Sequence, residues 1–240
     1  MMHLRRSRIP ILFLLFSFLA GTSQAVTKPH VIAFGKWTSV QWFPGIGNGM
    51  GMGRDEDKPL ALKVRALFVD RRLKEYTLGP AHEVTDRLFV VRRAFRVNDS
   101  LPEEGASAPH WQWQRGGWLL VDRVTGHVSQ VNLPEFDASY SAASWYRDYA
   151  AYCGVAEDGK KLYAVVAQLG RRKPVLKKLL TGSDVAEDAP PDSACPAPAW
   201  QRGPARVMFE SVGGGKQTFA IRGHVVDVVS DVEEDEEAAK

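Results

Sequence analysis

The chain has 240 residues, 45% of them hydrophobic and 25% charged, with 21 Gly, 14 Pro, two Cys and a formal net charge of +3. That profile excludes collagen-like, mucin-like and disulfide-dense miniature scaffolds, and it is too apolar for a disordered chain. At this length one domain, or two small ones, can bury a sizeable core.

Arg5, Arg6 and Arg8 precede an apolar run from Ile9 to Ala20, and Gly21-Thr22-Ser23-Gln24-Ala25 then offers small residues where a signal peptidase reads. This is the pattern of a secretory signal peptide over 1–25, with cleavage expected after Ala25. The apolar run is about half of the roughly 20 residues that span a bilayer, so no membrane span is expected after cleavage. No Cys follows it to take a lipid. Arg5-Arg6 also admits a twin-arginine reading, but Arg8 stands where that signal prefers an apolar residue, and the ordinary route is favoured. The expected location is secreted or periplasmic, soluble after cleavage, which argues against nucleic acid as the normal partner. Without the three leader arginines, residues 26–240 are formally neutral: the last ten carry −5 and residues 26–230 carry +5. Residues 26–230 are read as a single β-rich domain and 231–240 as an acidic disordered tail.

Apolar and polar residues alternate along most of this body, the period of half-buried strands, and helical periodicity is scarce. An all-β fold follows. A first unit of strands is expected over His30–Phe43, Leu60–Asp70 and Leu73–Leu78. Between its first two strands, Pro44–Pro59 carries Gly at every second position from Gly45 to Gly53. Without Gly at the required offsets and a following helix, this is no dinucleotide fingerprint. Met50 and Met52 are soft ligands suited to Cu(I), and Asp55-Glu56-Asp57 could meet Ca²⁺, but two thioethers make a weak site and the acids lack the EF-hand spacing. A plain loop with a solvated charge cluster is preferred, so no metal and no cofactor is expected.

A second unit is expected over Arg87–Val97, His110–Asp122 and His127–Leu133. Its clearest piece is a hairpin from Trp118 to Leu133, whose turn holds Gly126. Trp111 and Trp113 stand two apart on one strand and therefore on one face. Just before them Asn98-Asp99-Ser100 matches a glycosylation acceptor that only a eukaryotic secretory route would use. Basic residues recur at Arg71-Arg72-Lys74, Arg92-Arg93-Arg96 and Arg171-Arg172-Lys173-Lys177-Lys178. They suit either an anionic polymer, the acidic tail included, or solvated strand edges that discourage aggregation.

A third unit reads as four strands in about 40 residues: Ser141–Trp145, Tyr149–Ala156, Lys161–Gln168 and Val175–Leu180. Ala143-Ser144-Trp145, then Asp148, then Glu157-Asp158-Gly159-Lys160-Lys161-Leu162-Tyr163 follow the Ser-Trp … Asp-Gly-Lys-x-Leu-Tyr rhythm of periplasmic and WD-repeat β-propellers. Residues 141–180 thus resemble one propeller blade. A fourth unit is expected over Arg206–Ser211, Lys216–Ile221 and His224–Val229. Last strands ending near Gly79, Leu133, Leu180 and Val229 give a period of roughly 50 residues. The likeness implies a propeller-like array of about four antiparallel meanders; a β-sandwich or an irregular barrel is the alternative. In addition, the run from Gln114 to Arg123 resembles part of a group of uncharacterised secreted bacterial proteins, a likeness that implies export and no activity.

The two cysteines, Cys153 and Cys195, can pair within the chain in one way, and export would favour a disulfide. It would pin a segment crowded with Pro190, Pro191, Pro196 and Pro198. Gly213-Gly214-Gly215-Lys216-Gln217-Thr218 is only superficially like a phosphate loop, since Glu210 and Gln217 occupy positions that need Gly and Ser or Thr. No nucleophile or zinc-protease motif occurs, and the five histidines after the leader lack ligand spacing. Exposed Trp and Tyr rings in such a protein can stack on sugars or grip a peptide, although most of them should fill gaps between sheets. Trp111, Trp113 and Tyr146 are the candidate binding residues. The expected function is that of a non-catalytic exported protein binding an envelope protein or glycan; an exported hydrolase whose catalytic groups converge from separate units is the alternative, and a structural envelope protein a third.

Overall fold

A computed structural model describes residues 29–42, 60–98, 100, 111–138, 140–156, 161–184, 195–211, 215–222 and 225–229. The expected leader, the glycine-repeat and acidic run after Phe43, the Glu157–Lys160 part of the blade motif and the acidic tail lie outside these residues.

The described chain is all-β and forms three sheets. The first has seven strands: β1 (Ile32–Phe34), β2 (Thr38–Trp42), β3 (Leu60–Val69), β4 (Arg72–Glu83), β5 (Leu88–Asn98), β6 (Trp111–Asp122) and β7 (Val128–Val131). What the sequence divides into a first and a second unit is therefore one sheet. β3 pairs with β1, β2 and β4; β4 pairs on to β5, β5 to β6, and β6 to β7. The path returns on itself where Trp42 of β2 stands opposite Trp113 of β6 in the sheet's one parallel pair. Register shifts at Leu67/Phe68, Leu78/His82 and Arg92/Ala94 bend the long strands and give the sheet the twist to come round.

Short-range chemistry sets the hairpins. At the β3–β4 turn Asp70 and Arg71 both take positive φ, 50° and 65°, as a two-residue primed turn requires. The Asp70 carboxylate is held by the His30 ring at 2.6 Å and the Val31 amide at 3.0 Å. At the β6–β7 turn Asp122 accepts from the amides of Val124 and Thr125 and from Arg87. Gly126 there has φ 64° and abuts His30, so the turn packs directly under the start of β1.

The second sheet is a meander of β8 (Ser144–Tyr146), β9 (Tyr149–Val155), β10 (Lys161–Gln168) and β11 (Leu176–Asp184), and the third is a meander of β12 (Ala199–Arg202), β13 (Ala205–Ser211), β14 (Gly215–Arg222) and β15 (Val225–Val229). Alternation along β9 splits its side chains between two cores. Ala151 and Cys153 join Leu162, Ala164, Val166 and Leu180 against Val207, Phe209, Phe219 and Ile221 of the third sheet. Ala150 and Tyr152 face the other way, toward Leu133, Phe136 and Trp145. Cys153 and Cys195 stand at disulfide-bonding distance inside the first of these cores, Cα to Cα 6.3 Å, as the sequence leads one to expect.

The first and second sheets meet through Trp118 edge-on to Trp145, centroids 5.3 Å apart, and through His82 Nε2 at 2.9 Å from the Arg147 carbonyl. Arg92 donates to the carbonyls of Ala138 and Ser141, tying β5 to the connecting segment. Tyr152 donates its hydroxyl proton to the Pro134 carbonyl at 2.6 Å, and burial pushes its phenol well above the usual range.

Candidate binding face

Four strands, β6, β5, β2 and β4, build the face that carries Trp111. On β6 the two-residue period of a strand puts Trp111, Trp113 and Arg115 on one side. Across on β5, Asn98 is opposite Trp111 and Arg96 opposite Trp113, while Trp42 of β2 flanks Trp113 from the other edge. The Arg96 guanidinium lies between the two indoles, 5.6 Å from the Trp111 centroid and 5.4 Å from that of Trp113. Tyr76 meets Trp113 edge-on at 5.0 Å, and Arg115 sits 3.8 Å over the Trp42 ring. Exposure rises along this track: Trp42 is 5% exposed, Trp113 half-buried and Trp111 54% exposed. The inner end is core and the outer end is open.

Charge is distributed unevenly here. β2 to β6 carry Lys63, Arg65, Arg72, Lys74, Arg92, Arg93, Arg96 and Arg115 against three acids, Glu75, Glu83 and Asp122. Most arginines of this sheet have work inside the fold. Arg87 pairs with Asp122, Arg93 with Glu75 at 3.0 Å, Arg123 with Glu83 at 2.7 Å, and Arg92 with backbone carbonyls. Arg96 is exposed and has no hydrogen-bond or ion-pair partner among the described residues.

Trp111 and Trp113 are thus brought together, as alternation implies, with Arg96 between them. Tyr146 is not part of this face. Its ring stacks on Trp200 at 5.4 Å with the Arg147 guanidinium over it, and Trp200 Nε1 donates to the Ser144 carbonyl at 3.3 Å, so this group joins β8 to β12. Seven extended residues, about 23 Å, separate Trp111 from Trp118, the ring that meets Trp145 beside Tyr146.

Sequence reasoning groups Arg92, Arg93 and Arg96 as one basic patch. The fold sends them to three environments, because neighbours on a strand face opposite ways. Alternation could have separated Arg93 from Arg96, whereas Trp42 and Tyr76 reach the face only through long-range pairing. On the opposite side of the sheet, in the row Arg65, Thr77, Arg93, the Arg65 guanidinium is held between Phe34 at 3.8 Å and Trp37 at 4.4 Å, and burial lowers its pKa.

A cavity of about 460 Å³ lies at the β6–β7 hairpin, lined by Leu88, Leu120, Asp122, Thr125, His127 and Ser129. Its one carboxylate, Asp122, is already spent: the Arg87 guanidinium holds it well below the usual carboxylate range, with two turn amides adding to the effect. Among the described residues no three His, Cys, Asp or Glu side chains gather as a metal site, and no helix is long and apolar enough to cross a membrane. Comparison with family models, curated proteins and solved structures found no match for the chain.

Proposed function

We propose that this chain is an exported, non-catalytic binding protein of the cell envelope that takes a glycan partner on the Trp111 face. The leader pattern at the N-terminus and a cysteine pair at bonding distance support export. One observation carries the binding reading: a half-exposed indole stands beside an exposed arginine that no acid of the described fold neutralises. An indole face accepts the C–H face of a sugar ring, and a guanidinium donates up to five hydrogen bonds to the oxygens around it. The neighbouring ring of Trp113 is wedged by Tyr76, so the platform is rigid and little side-chain entropy is lost on binding.

The test is tryptophan fluorescence and calorimetry of the protein against a panel of envelope oligosaccharides, with Trp111→Ala at the face and Tyr146→Ala as a control elsewhere. Binding that is lost in Trp111→Ala and kept in Tyr146→Ala supports the assignment; binding indifferent to Trp111→Ala removes it. A second reading, an exported hydrolase, is favoured by the cavity that gathers Asp122, Thr125, His127 and Ser129. It ranks lower because the Asp122 carboxylate is engaged in holding its own turn.

A further inference from the structure

Taking the Trp111 face as a glycan site, we infer that its ligand is acidic: a polysaccharide whose sugar residues carry carboxylates. The inference rests on that binding reading and adds the charge and placement of the ligand's polar group.

Three features point the same way. First, Arg96 is exposed and lacks an anionic partner among the described residues, while Arg87, Arg93 and Arg123 of the same sheet each have one. A protein that needed Arg96 only to blunt an edge would not have to hold it over two rings; stacking restrains the guanidinium plane and leaves its donor edge free to meet a planar carboxylate in two parallel bonds. Second, among the described residues Glu75, on the neighbouring strand β4, is already paired with Arg93, and Asp122 stands at the far end of β6 paired with Arg87, so both leave the charge of Arg96 uncompensated and the local field favours an anion. Third, Trp111 and Trp113 project from alternate residues of one strand, about 6.6 Å apart, with the cation between them. A pyranose lying on Trp111 would bring a carboxylate carried on that ring to Arg96. A uronic acid holds both parts, apolar ring face and carboxylate, in one residue. An acidic peptide supplies the charge without the flat ring that would use Trp111.

The experiment compares two probes of equal length that differ at the carboxyl group alone: an oligogalacturonate, in which it is free and charged, and its fully methyl-esterified form, in which it is neutral. Calorimetry at low and at 0.5 M salt, a concentration at which the Debye length is only about 4 Å, is run on the parent protein, Arg96→Gln, Trp111→Ala and Arg147→Gln. The last removes the same charge beside Tyr146, away from the face. The acid is expected to bind the parent about tenfold or more tighter than the ester, the scale of one charge-assisted hydrogen bond. Arg96→Gln should bring the acid down to the ester's affinity and leave the ester unchanged. Trp111→Ala should weaken both, Arg147→Gln neither, and salt should act on the acid alone.

Equal binding of acid and ester by the parent would overturn the acidic assignment and leave the glycan reading standing. Failure of both probes to bind would remove the two together. A glutamate oligomer that binds as tightly as the oligogalacturonate and ignores Trp111→Ala would assign the face to an acidic peptide and overturn the inference. Circular dichroism of Arg96→Gln checks the fold, and the comparison on the parent protein does not depend on that variant.

Discussion

Replacing Cys153 and Cys195 together by Ala tests how the two four-stranded meanders are held. Both cysteines lie in the core between the sheets, 2% and 3% exposed, and the bridge links β9 to the segment that leads into β12 across a sequence separation of 42. Closing a loop of that length removes about 4 kcal/mol of chain entropy from the unfolded state. Two missing sulfur atoms in a dry cluster add about 1 kcal/mol for the small voids they leave. The double variant is therefore expected to lose about 5 kcal/mol, or roughly 10–20 °C in melting temperature for a chain of this size. Urea unfolding followed by tryptophan fluorescence and circular dichroism, with and without reductant, measures it. The denaturant slope should rise as well, because an unlinked chain exposes more surface when unfolded. A loss below about 1 kcal/mol with an unchanged slope would refute the reasoning: packing of Val207, Phe209 and Phe219 on β9 and β10 would then hold the sheets without the bridge.

Gly126→Ala should cost about 1–3 kcal/mol, since the position has φ 64° and an added Cβ would stand 2.8 Å from His30 Cγ and 2.9 Å from Val69 Cγ1; a melting temperature equal to the parent's would contradict this. Tyr152→Phe should cost about 1 kcal/mol by leaving the Pro134 carbonyl without its donor, read from urea midpoints, and a neutral effect would mean that water replaces the phenol. Asp122, Glu83 and Asp70 are all held below the usual carboxylate range, chiefly by Arg87, Arg123 and His30 respectively. A depressed folded-state pKa gives stability that is complete above the unfolded value, about 4, and lost as pH falls through the folded value. Urea midpoints should therefore drop from pH 5 toward pH 3, and Asp122→Asn should be less stable at pH 7 and show a shallower drop; an identical profile in the variant would exclude Asp122 as a contributor.

Where local chemistry decides, the fold was legible. Gly126 marks its hairpin because the turn demands positive φ, alternation reads β10 correctly, and two cysteines leave a single pairing within the chain. Legibility fails where the cause is distant. The pairing of Trp42 with Trp113 joins residues 71 positions apart in sequence and merges two expected units into one sheet, and no local pattern announces it. β4 was expected to stop at Leu78 before Gly79-Pro80, yet it runs to Glu83, because the register shift between Leu78 and His82 absorbs a glycine at φ 61° and a proline with no amide to donate. β12 is four residues in a proline-rich stretch and becomes a strand only through β13. Of the site, the shared face of Trp111 and Trp113 was readable. Tyr146, half-buried like Trp113, stands apart from that face against Trp200, 54 residues away, a contact made by packing that no local pattern announces.

The distribution of arginines separates those that hold this fold from the one that the fold does not use. A guanidinium in a sheet gains most when a carboxylate meets it or when it satisfies carbonyls that would otherwise be orphaned. Arg93 and Arg92 take those two roles from adjacent positions on β5, one on each face, and both fall where the sheet is covered. Arg96 sits three residues on, on the same face as Ala94, beyond the covered region and beside an indole that is itself half in solvent. Stacking on aromatic rings at an exposed site is worth about 0.5–1 kcal/mol, much less than a buried charged hydrogen bond. Arg96 therefore contributes little to the fold while keeping its donors available. In the same strand pair, buried contacts are concentrated toward Trp118 and exposed side chains toward Trp111, so substitutions at the open end can be made without unfolding the sheet beneath them.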